Sequence, residues 1–360
     1  MPLTYPKVLV ITGPTGIGKS SFAIELAKKL NGEILNGDSV QVYFGFDIGS
    51  AKLALVEQEG VAHHLLSYID PRETFDAARF TRDATEKINF LNRINKLPIV
   101  CGGTGLYLRS LLCGMADVPE VTSAARIELN KREAGVDEVN LKPVLFSWLS
   151  ELDPLAAKNI DCSDLQRIRR ALLVYLSSGV SLFSYQSEHQ HKSAKFHALV
   201  LILKMDKEPL NRRINARVKE MINSGLINEV KRLLAIYPLK SHAFNAIGYR
   251  HAVEFLRSDY DFEKMIELLK RDTRHFAKRQ RTWWRNQPRM LDWKFLGSKR
   301  FNRKEDLSTT SLSGSSIAGD ICVSSISELV ELVAKYFADE NTFLNDGESK
   351  PIVSYLELEV

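Results

Sequence analysis

The chain has 360 residues, of which 44% are hydrophobic and 26% are charged, a composition typical of soluble globular proteins. No apolar run reaches the ~18 residues needed to cross a bilayer, and the N-terminus lacks the pattern of a cleaved signal. The four cysteines are scattered without CxxC spacing, which argues against a disulfide framework and against a zinc site. We therefore expect a cytoplasmic protein that does not associate with membranes.

The net charge of +5 is unevenly distributed along the chain. Residues 121–298 carry 31 Lys/Arg against 20 Asp/Glu, whereas residues 1–120 carry 12 against 13 and residues 299–360 carry 6 against 11. A basic middle segment beside a nearly neutral first third favours a polyanionic partner. Solvated helix faces would give the same pattern, so charge alone does not decide.

Short apolar runs alternate with helical patterns in the first third of the chain. Residues 7–11 predict a buried strand, which a glycine-rich turn and an amphipathic helix over residues 19–30 follow. Further strands are predicted at residues 33–35, 64–69 and 98–101. This alternation indicates an α/β fold with a parallel sheet that binds ligands at the carboxyl ends of its strands.

The rest of the chain divides by composition. Residues 123–195 predict a helical insertion domain, and a strand beginning at residue 196 predicts a return to the core that continues through basic helices to residue 297. The catalytic core would then comprise residues 1–122 and 196–297. Because residues 308–316 are rich in Ser, Thr and Gly, residues 298–360 are expected to be a linker and an acidic tail outside the catalytic fold. Ending the chain near Ser298 is therefore expected to preserve activity.

The turn after the first strand predicts a P-loop. Its residues, which fit G-x-x-x-x-G-K-[ST] between a strand and a helix, are Gly13, Pro14, Thr15, Gly16, Ile17, Gly18, Lys19 and Ser20. Such loops surround phosphate oxygens with backbone N–H groups, and they bind nucleotides such as ATP. Lys19 would add a positive charge, and the Ser20 hydroxyl is suited to hold Mg²⁺.

The P-loop alone does not identify the reaction. The NKxD element of a GTPase is missing, since no Asp follows Asn95-Lys96-Leu97, and Asp70 is a weak candidate for a Walker B acid. Asp38 follows the second strand, so its carboxylate would lie at the same sheet edge as the P-loop, where it could accept a proton. An aspartate that caps a turn is an equally consistent interpretation.

Several short motifs occur together in an order and spacing typical of one family. They are Gly13-Pro14-Thr15, Asp38-Ser39, Gln41-Val42-Tyr43, residues 47–52, residues 102–107, Gln166-Arg167, Arg213 with Arg217, Gly248-Tyr249-Arg250, and residues 278–285. From Val8 to about Trp284 the sequence resembles the tRNA dimethylallyltransferases, in their bacterial form. The resemblance implies a P-loop NTPase-like core with a helical insertion domain and C-terminal helices.

The resemblance also implies a reaction and its residues. A dimethylallyl group would pass from dimethylallyl diphosphate to N6 of the adenine that follows the anticodon of a tRNA, while the P-loop holds the leaving diphosphate. Asp38 would be the base for the adenine amine, and Thr104 would donate a hydrogen bond near the bridging oxygen. Arg217 with Arg213 would neutralise the diphosphate, Mg²⁺ would be the cofactor, and the protein would be a monomer.

The polyanionic partner implied by the resemblance is the tRNA anticodon stem-loop. Residues 270–289 carry eight Lys/Arg and one acid, with aromatic residues between them, which suits binding to phosphates and unpaired bases. The residues assigned to tRNA are Asp38, Ser39, Val40, Gln41, Gln166, Arg167, Asn245, Ala246, Ile247, Gly248, Tyr249, Arg250, Lys278, Arg279, Gln280, Arg281, Thr282, Trp283, Trp284 and Arg285.

Three other functions remain open from the sequence. They are a prenyltransferase that acts on free adenine nucleotides, a P-loop small-molecule kinase, and an NTPase switch that binds nucleic acid without transfer chemistry. The basic middle segment favours RNA as the acceptor, and the weak Walker B candidate argues against the switch.

Overall fold

The computed structural model describes residues 5–189, 194–291, 294–300, 325–338 and 353–360. The chain forms two compact units. The first comprises Met1–Gly114 and Ser193–Val360, and the second comprises Met115–Lys192. The second unit thus begins before the expected boundary at residue 123 and ends before residue 195.

A parallel sheet forms the centre of the first unit. Its strands are β1 (Lys7–Thr12), β2 (Gly32–Asn36), β3 (His63–His64), β4 (Leu97–Cys101), β5 (His197–Lys204), β6 (Lys294–Arg300) and β7 (Val353–Glu359). They lie in the order β3-β2-β4-β1-β5-β7-β6, and the strand pairs are parallel. The predicted α/β class with a parallel sheet is confirmed.

Helices follow most of the strands. In chain order they are α1 (Lys19–Lys29), α2 (Ala77–Arg93), α3 (Gly105–Cys113), α4 (Ser123–Glu133), α5 (Glu138–Leu152), α6 (Pro154–Asn159), α7 (Leu165–Ser178), α8 (Leu182–His189), α9 (Lys207–Asn223), α10 (Leu226–Ile236), α11 (Ile247–Leu256), α12 (Phe262–Met290) and α13 (Ile326–Ala338). Helices α4 to α8 build the second unit, around a core of its own.

The sheet is covered on both faces, which explains why its strands are continuous apolar runs. In β1, Val8 and Val10 pack into the layer that contains α2 and α3, whereas Leu9 and Ile11 pack into the layer that contains α1 and α13. This alternation follows from the two-residue period of a strand. The first unit is therefore a three-layer structure.

The C-terminal segment belongs to this fold, and the expectation of an external tail is wrong. β7 pairs with β5 from Ala198 opposite Val353 to Lys204 opposite Glu359, and β6 extends the sheet beyond β7. α13 packs on the α1 face, where the Tyr336 hydroxyl donates a hydrogen bond to the Ala198 carbonyl at 3.1 Å. The Ser-rich residues 308–316 lie outside the described residues.

No helix in the described part of the chain is long and apolar enough to cross a membrane.

Candidate active site

The ends of three neighbouring strands converge at the carboxyl edge of the sheet. The Gly37 N–H donates to the Cys101 carbonyl at 2.8 Å, and the Gly102 N–H donates to the Ile11 carbonyl at 3.1 Å, so the hydrogen bonding between the strands continues one residue beyond β2 and β4. A Cβ on Gly102 would lie 2.3 Å from the Gly37 oxygen, so this close approach requires glycine. The loops that follow these strands are thereby brought side by side.

The loop Gly13–Ser20 joins β1 to α1 and lies at this edge. Gly13 and Gly18 have φ values of +146° and +100°, which L side chains rarely adopt. The Lys19 ammonium donates to the carbonyls of Gly13 and Pro14 at 3.1 and 3.0 Å. Burial lowers the pKa of Lys19 to about 8, although Cys101 and Asp38 oppose this shift. Lys19 is therefore a poorly solvated cation that an anionic ligand would stabilise.

Both arginines predicted for the diphosphate reach this loop from α9. Arg213 donates from Nη1 to the Ile17 carbonyl at 3.0 Å. Arg217 donates from Nη1 to the Thr15 hydroxyl and from Nη2 to the Ala51 carbonyl, both at 3.4 Å. Burial lowers the pKa of Arg217, and the charge of Asp38 opposes this. The half-buried Arg217 and the exposed Arg213 thus both bond to the loop, and Arg217 lies within electrostatic reach of Asp38.

Asp38 caps a turn and keeps one oxygen free. Its Oδ1 accepts hydrogen bonds from the N–H groups of Val40 and Gln41 at 2.8 and 3.3 Å. No hydrogen bond reaches Oδ2 from the described residues. Asp38 is half-buried, and its charge acts on both Lys19 and Arg217. The capping interpretation and the base interpretation are therefore compatible, because each uses a different oxygen.

Thr104 lies at the start of α3, next to these groups. Its carbonyl accepts the N–H groups of Tyr107 and Leu108, while its hydroxyl makes no capping hydrogen bond. The half-buried hydroxyl is thus available to a ligand at the helix N-terminus, where negative charge is favoured.

Ser20 could take part in binding Mg²⁺. Its side chain lines a cavity of about 30 Å³ together with those of Asn36, Gln41 and Cys101. The described residues contain no group of three or more His, Cys, Asp or Glu that could hold a metal ion. Mg²⁺ prefers oxygen ligands and is often bound by few protein groups together with substrate phosphates and water. One hydroxyl beside a phosphate loop fits this mode of binding.

The outer face of α12 is basic and borders a cleft. The exposed side chains include Lys278, Arg279, Arg281, Thr282 and Arg285. The cleft has a volume of about 560 Å³, and its lining residues are His275, Lys278, Arg279, Thr282, Trp283, Asn286 and Gln287. A cleft of this size can hold a small ligand or a nucleotide. Lys and Arg side chains can bind phosphates, and an indole ring beside them can stack on an unpaired base.

Three side chains predicted to contact tRNA are buried in the interior of the protein. Tyr249, Trp284 and Gln280 are 0%, 3% and 7% exposed. Tyr249 packs against Gly49, and Trp284 belongs to the hydrophobic core of the first unit. Gln280 bonds to two loops of the candidate site. These three side chains are therefore buried in the structure without RNA, and their assignment to tRNA stays a prediction.

The remaining predicted tRNA residues occupy mixed environments. Trp283 is half-buried, and the guanidinium of Arg109 lies 5.3 Å from its ring centroid. Arg250 is exposed and forms an ion pair with Asp272 at 3.0 Å. Gln166 and Arg167 are exposed on α7 in the second unit. The other predicted residues lie in two segments. Asn245 is exposed, and the half-buried residues are Ser39, Val40, Gln41, Ala246 and Ile247.

Sequence reasoning missed Glu229, which supports the site from α10. Its carboxylate accepts the N–H groups of Ile48 and Gly49. These residues precede Ala51, whose carbonyl bonds to Arg217. A single acid in an amphipathic helix carries no motif, and a buried acid is recognised only from the structure.

The fold and the site define an α/β enzyme class with a P-loop NTPase-like architecture, in which a glycine-rich loop, two arginines and an aspartate meet at the carboxyl edge of a parallel sheet. The model of the IPP transferase family matches residues 41–287. The chain therefore belongs to the IPP transferase family.

Curated relatives and solved structures agree with this membership. The chain is 42% identical to the tRNA dimethylallyltransferase of Carboxydothermus hydrogenoformans, over 79% of this chain and 90% of the relative. It is 41% identical to tRNA dimethylallyltransferase 1 of Trichlorobacter lovleyi, over 79% and 92%. The crystal structure of the tRNA isopentenylpyrophosphate transferase of Bacillus halodurans matches with a TM-score of 0.59 and 30% identity, over 92% of this chain and 96% of that chain. A eukaryotic dimethylallyltransferase acting on tRNA matches with a TM-score of 0.66 and 32% identity, over 77% and 69%.

Proposed function

We propose that this protein transfers a dimethylallyl group from dimethylallyl diphosphate to N6 of the adenine that follows the anticodon of a tRNA. The observation that carries the proposal is the convergence of Lys19, Arg217 and the free oxygen of Asp38 at one sheet edge. The family membership and the names of the relatives support prenyl transfer to tRNA over the alternatives.

The leaving group would be stabilised by the loop and its cations. As the bond between the prenyl carbon and the bridging oxygen breaks, negative charge grows on the diphosphate. Lys19, Arg217 and Arg213 would neutralise that charge, and the Thr104 hydroxyl would donate to the bridging oxygen. The hydrogen bonds of both arginines to the loop and the uncapped hydroxyl of Thr104 support these roles. Preorganised donors at developing charge supply much of the rate enhancement of enzymes.

The acceptor amine would lose its proton to Asp38. The exocyclic amine of adenine is a weak nucleophile, because its lone pair is delocalised into the ring. Oδ2 of Asp38 is free to take the proton while Oδ1 keeps the turn in place through Val40 and Gln41. The carbon–nitrogen bond forms as the bond between the prenyl carbon and the diphosphate oxygen breaks. The protein returns to its starting state when protonated Asp38 passes its proton to the released diphosphate or to solvent.

The Ser20 hydroxyl would hold Mg²⁺ together with diphosphate oxygens. The ion would supply further charge neutralisation on the leaving group. Protein oxygens other than that of Ser20 are not required by this arrangement, because Mg²⁺ retains several water ligands.

The exposed face of α12 would bind the anticodon stem-loop. Lys278, Arg279, Arg281 and Arg285 would contact phosphates, and the cleft beside Trp283 would receive an unstacked base. Extruding the target adenine from the loop costs a few kcal/mol, which these contacts must offset. The protein would act in the cytoplasm, where tRNA is available, and as a monomer.

The test is an incorporation assay with two donors and two acceptors. Labelled dimethylallyl diphosphate and ATP labelled on its γ-phosphate are each incubated with the protein, Mg²⁺, and either total tRNA or AMP. We expect label only from dimethylallyl diphosphate into tRNA, as N6-(dimethylallyl)adenosine after nuclease digestion. Label in AMP would favour the free-nucleotide prenyltransferase, and transfer from ATP would favour the kinase.

A further inference from the structure

Gln280 points inward from a helix whose neighbouring residues point outward. Arg279 and Arg281 are exposed, whereas Gln280 is buried. Its amide oxygen accepts a hydrogen bond from the Thr15 N–H at 2.8 Å, and its Nε2 donates to the Gly103 carbonyl at 2.9 Å. Both ends of one amide are thus satisfied by two loops that follow different strands.

The two bonded loops carry the groups of the proposed reaction. Thr15 lies in the phosphate loop, and its hydroxyl accepts the hydrogen bond from Arg217. Gly103 immediately precedes Thr104, whose hydroxyl is free. The Gln280 amide is therefore a direct link between the loop proposed for the diphosphate and the residue proposed for the bridging oxygen.

The link is tight as well as direct. A Cβ added to Gly103 would lie 2.3 Å from Nε2 of Gln280 and 3.4 Å from the Gly13 carbonyl oxygen. The amide thus fills the space between the loops, and the loops themselves almost touch. A side chain that fills such a gap sets the distance across it, because packed interiors leave little room to adjust.

We infer that Gln280 is a positioning residue for the transfer reaction, which sets the separation between the phosphate loop and Thr104. The inference rests on the proposed function. Gln280 touches neither substrate and acts through Thr15 and Gly103. Since a misplacement of about 1 Å can cost about 10²-fold in rate, losing this link is expected to lower kcat in a folded protein.

Two variants distinguish the effect of the hydrogen bonds of Gln280 from the effect of its side-chain volume. Gln280→Met keeps nearly the same length but removes both hydrogen bonds. Gln280→Glu keeps the acceptor for Thr15 and removes the donor to Gly103, and thermal unfolding of both variants shows which of them is folded at the assay temperature. Lys278→Ala, on the exposed face of the same helix, is the matched control. For each full-length protein, calorimetry gives the Kd of pyrophosphate and of tRNA, and steady-state kinetics give kcat and KM.

We expect Gln280→Met to lower kcat by about 10- to 100-fold and to weaken pyrophosphate binding, without a change in the Kd of tRNA. Lys278→Ala should do the reverse, with weaker tRNA binding and unchanged pyrophosphate binding. Gln280→Glu should also lower kcat, because Gly103 loses its donor.

Two results would overturn the inference. One is a loss of tRNA affinity in Gln280→Met that matches Lys278→Ala while kcat at saturating tRNA stays at the wild-type value. The other is a lower melting temperature with unchanged kcat and pyrophosphate binding. A wild-type protein that modifies no tRNA would instead refute the proposed function, and the pyrophosphate measurements would still report on the loop.

Discussion

The carboxylate of Glu229 accepts a hydrogen bond of 2.7 Å from the hydroxyl of Tyr249. The same carboxylate, 4% exposed, accepts the N–H groups of Ile48 and Gly49 at 2.9 to 3.2 Å. Burial, together with this acid, raises the pKa of Tyr249. One buried acid therefore joins α10, α11 and the segment that leads to Ala51.

Replacing Glu229 by Gln should weaken the binding of dimethylallyl diphosphate indirectly, through the segment that leads to Ala51. The Gln amide group cannot accept all of these hydrogen bonds, so we expect the free energy of unfolding to fall by about 1–3 kcal/mol. Because the Ala51 carbonyl holds Arg217, the KM for dimethylallyl diphosphate should rise as well. Urea denaturation and steady-state kinetics measure the two effects. Tyr249→Phe removes a single hydrogen bond and should have smaller effects. An unchanged KM in folded Glu229→Gln would show that the segment from Ile48 to Ala51 does not determine the position of Arg217.

The pH dependence of catalysis should report the titration of Lys19. In the free protein its pKa is about 8, whereas the ordinary value is 10.5. Only the protonated form attracts the diphosphate, so kcat/KM for dimethylallyl diphosphate should be level just below pH 8 and fall about tenfold per pH unit above it. Since the unfolded chain holds this proton up to higher pH, the contribution of Lys19 to stability should rise with pH between 8 and 10.5.

The control for this profile is a side chain that stays charged. In Lys19→Arg the falling limb should disappear from the accessible range, because the guanidinium does not lose its proton. Lys28→Arg, on the exposed part of α1, should leave the limb in place. If kcat/KM of an active Lys19→Arg protein still fell above pH 8, the titrating group would be a residue other than Lys19.

The salt dependence of tRNA binding should identify the basic face of α12. Removing one phosphate contact with Lys278→Ala or Arg279→Ala should reduce the slope of log K against log salt by about 1. Lys264→Ala is the control on the same helix, because Lys264 is paired with Glu267 at 2.8 Å. Filter binding over a range of salt concentrations measures the slopes, and equal slopes for all four proteins would exclude this face.

The C-terminal strand should be essential for folding. A chain that ends at residue 352 lacks β7, which lies between β5 and β6. Leu356 and Leu358 are fully buried, and burying a leucine contributes about 1.5–3 kcal/mol. We expect the truncated chain to be unfolded or insoluble, and Leu356→Ala to cost about 2–5 kcal/mol in thermal or urea unfolding. Glu359→Gln, at the exposed end of the strand, should change the free energy of unfolding little. A truncated chain that is folded and active would contradict the seven-stranded sheet.

The parts of the site that the sequence predicted are local motifs. The loop from Gly13 to Ser20 follows β1, and Asp38 follows β2 with only Gly37 between them. Both strands are visible in the sequence as short apolar runs. The register of a parallel sheet then brings such strand ends together. Arg213 and Arg217 are four residues apart on one helix, so their shared face was also predictable.

The missed features depend on contacts between distant residues. β7 pairs with β5 across about half the chain, and the composition of the intervening Ser-rich segment suggested a linker instead of a return to the sheet. Whether Gln280 faces outward or inward depends on the rotation of α12 against the loops at Thr15 and Gly103. A basic helix pattern contains no information about that rotation.

Asp38→Asn is nearly isosteric and changes only the capacity to accept a proton. The Asn oxygen can still accept the N–H groups of Val40 and Gln41, so the turn and the fold should remain. Because the charge of Asp38 also acts on Lys19 and Arg217, the Kd of dimethylallyl diphosphate must be measured alongside the rate.

The measurement that tests the proposed transfer most directly is kcat of Asp38→Asn with tRNA and dimethylallyl diphosphate both saturating. A positioned general base contributes a factor of about 10² to 10⁴, so we predict a fall in kcat within that range, with tRNA affinity retained. A kcat close to that of the wild-type protein would contradict the assignment of Asp38 as the base, and a change confined to KM would make Asp38 a binding group.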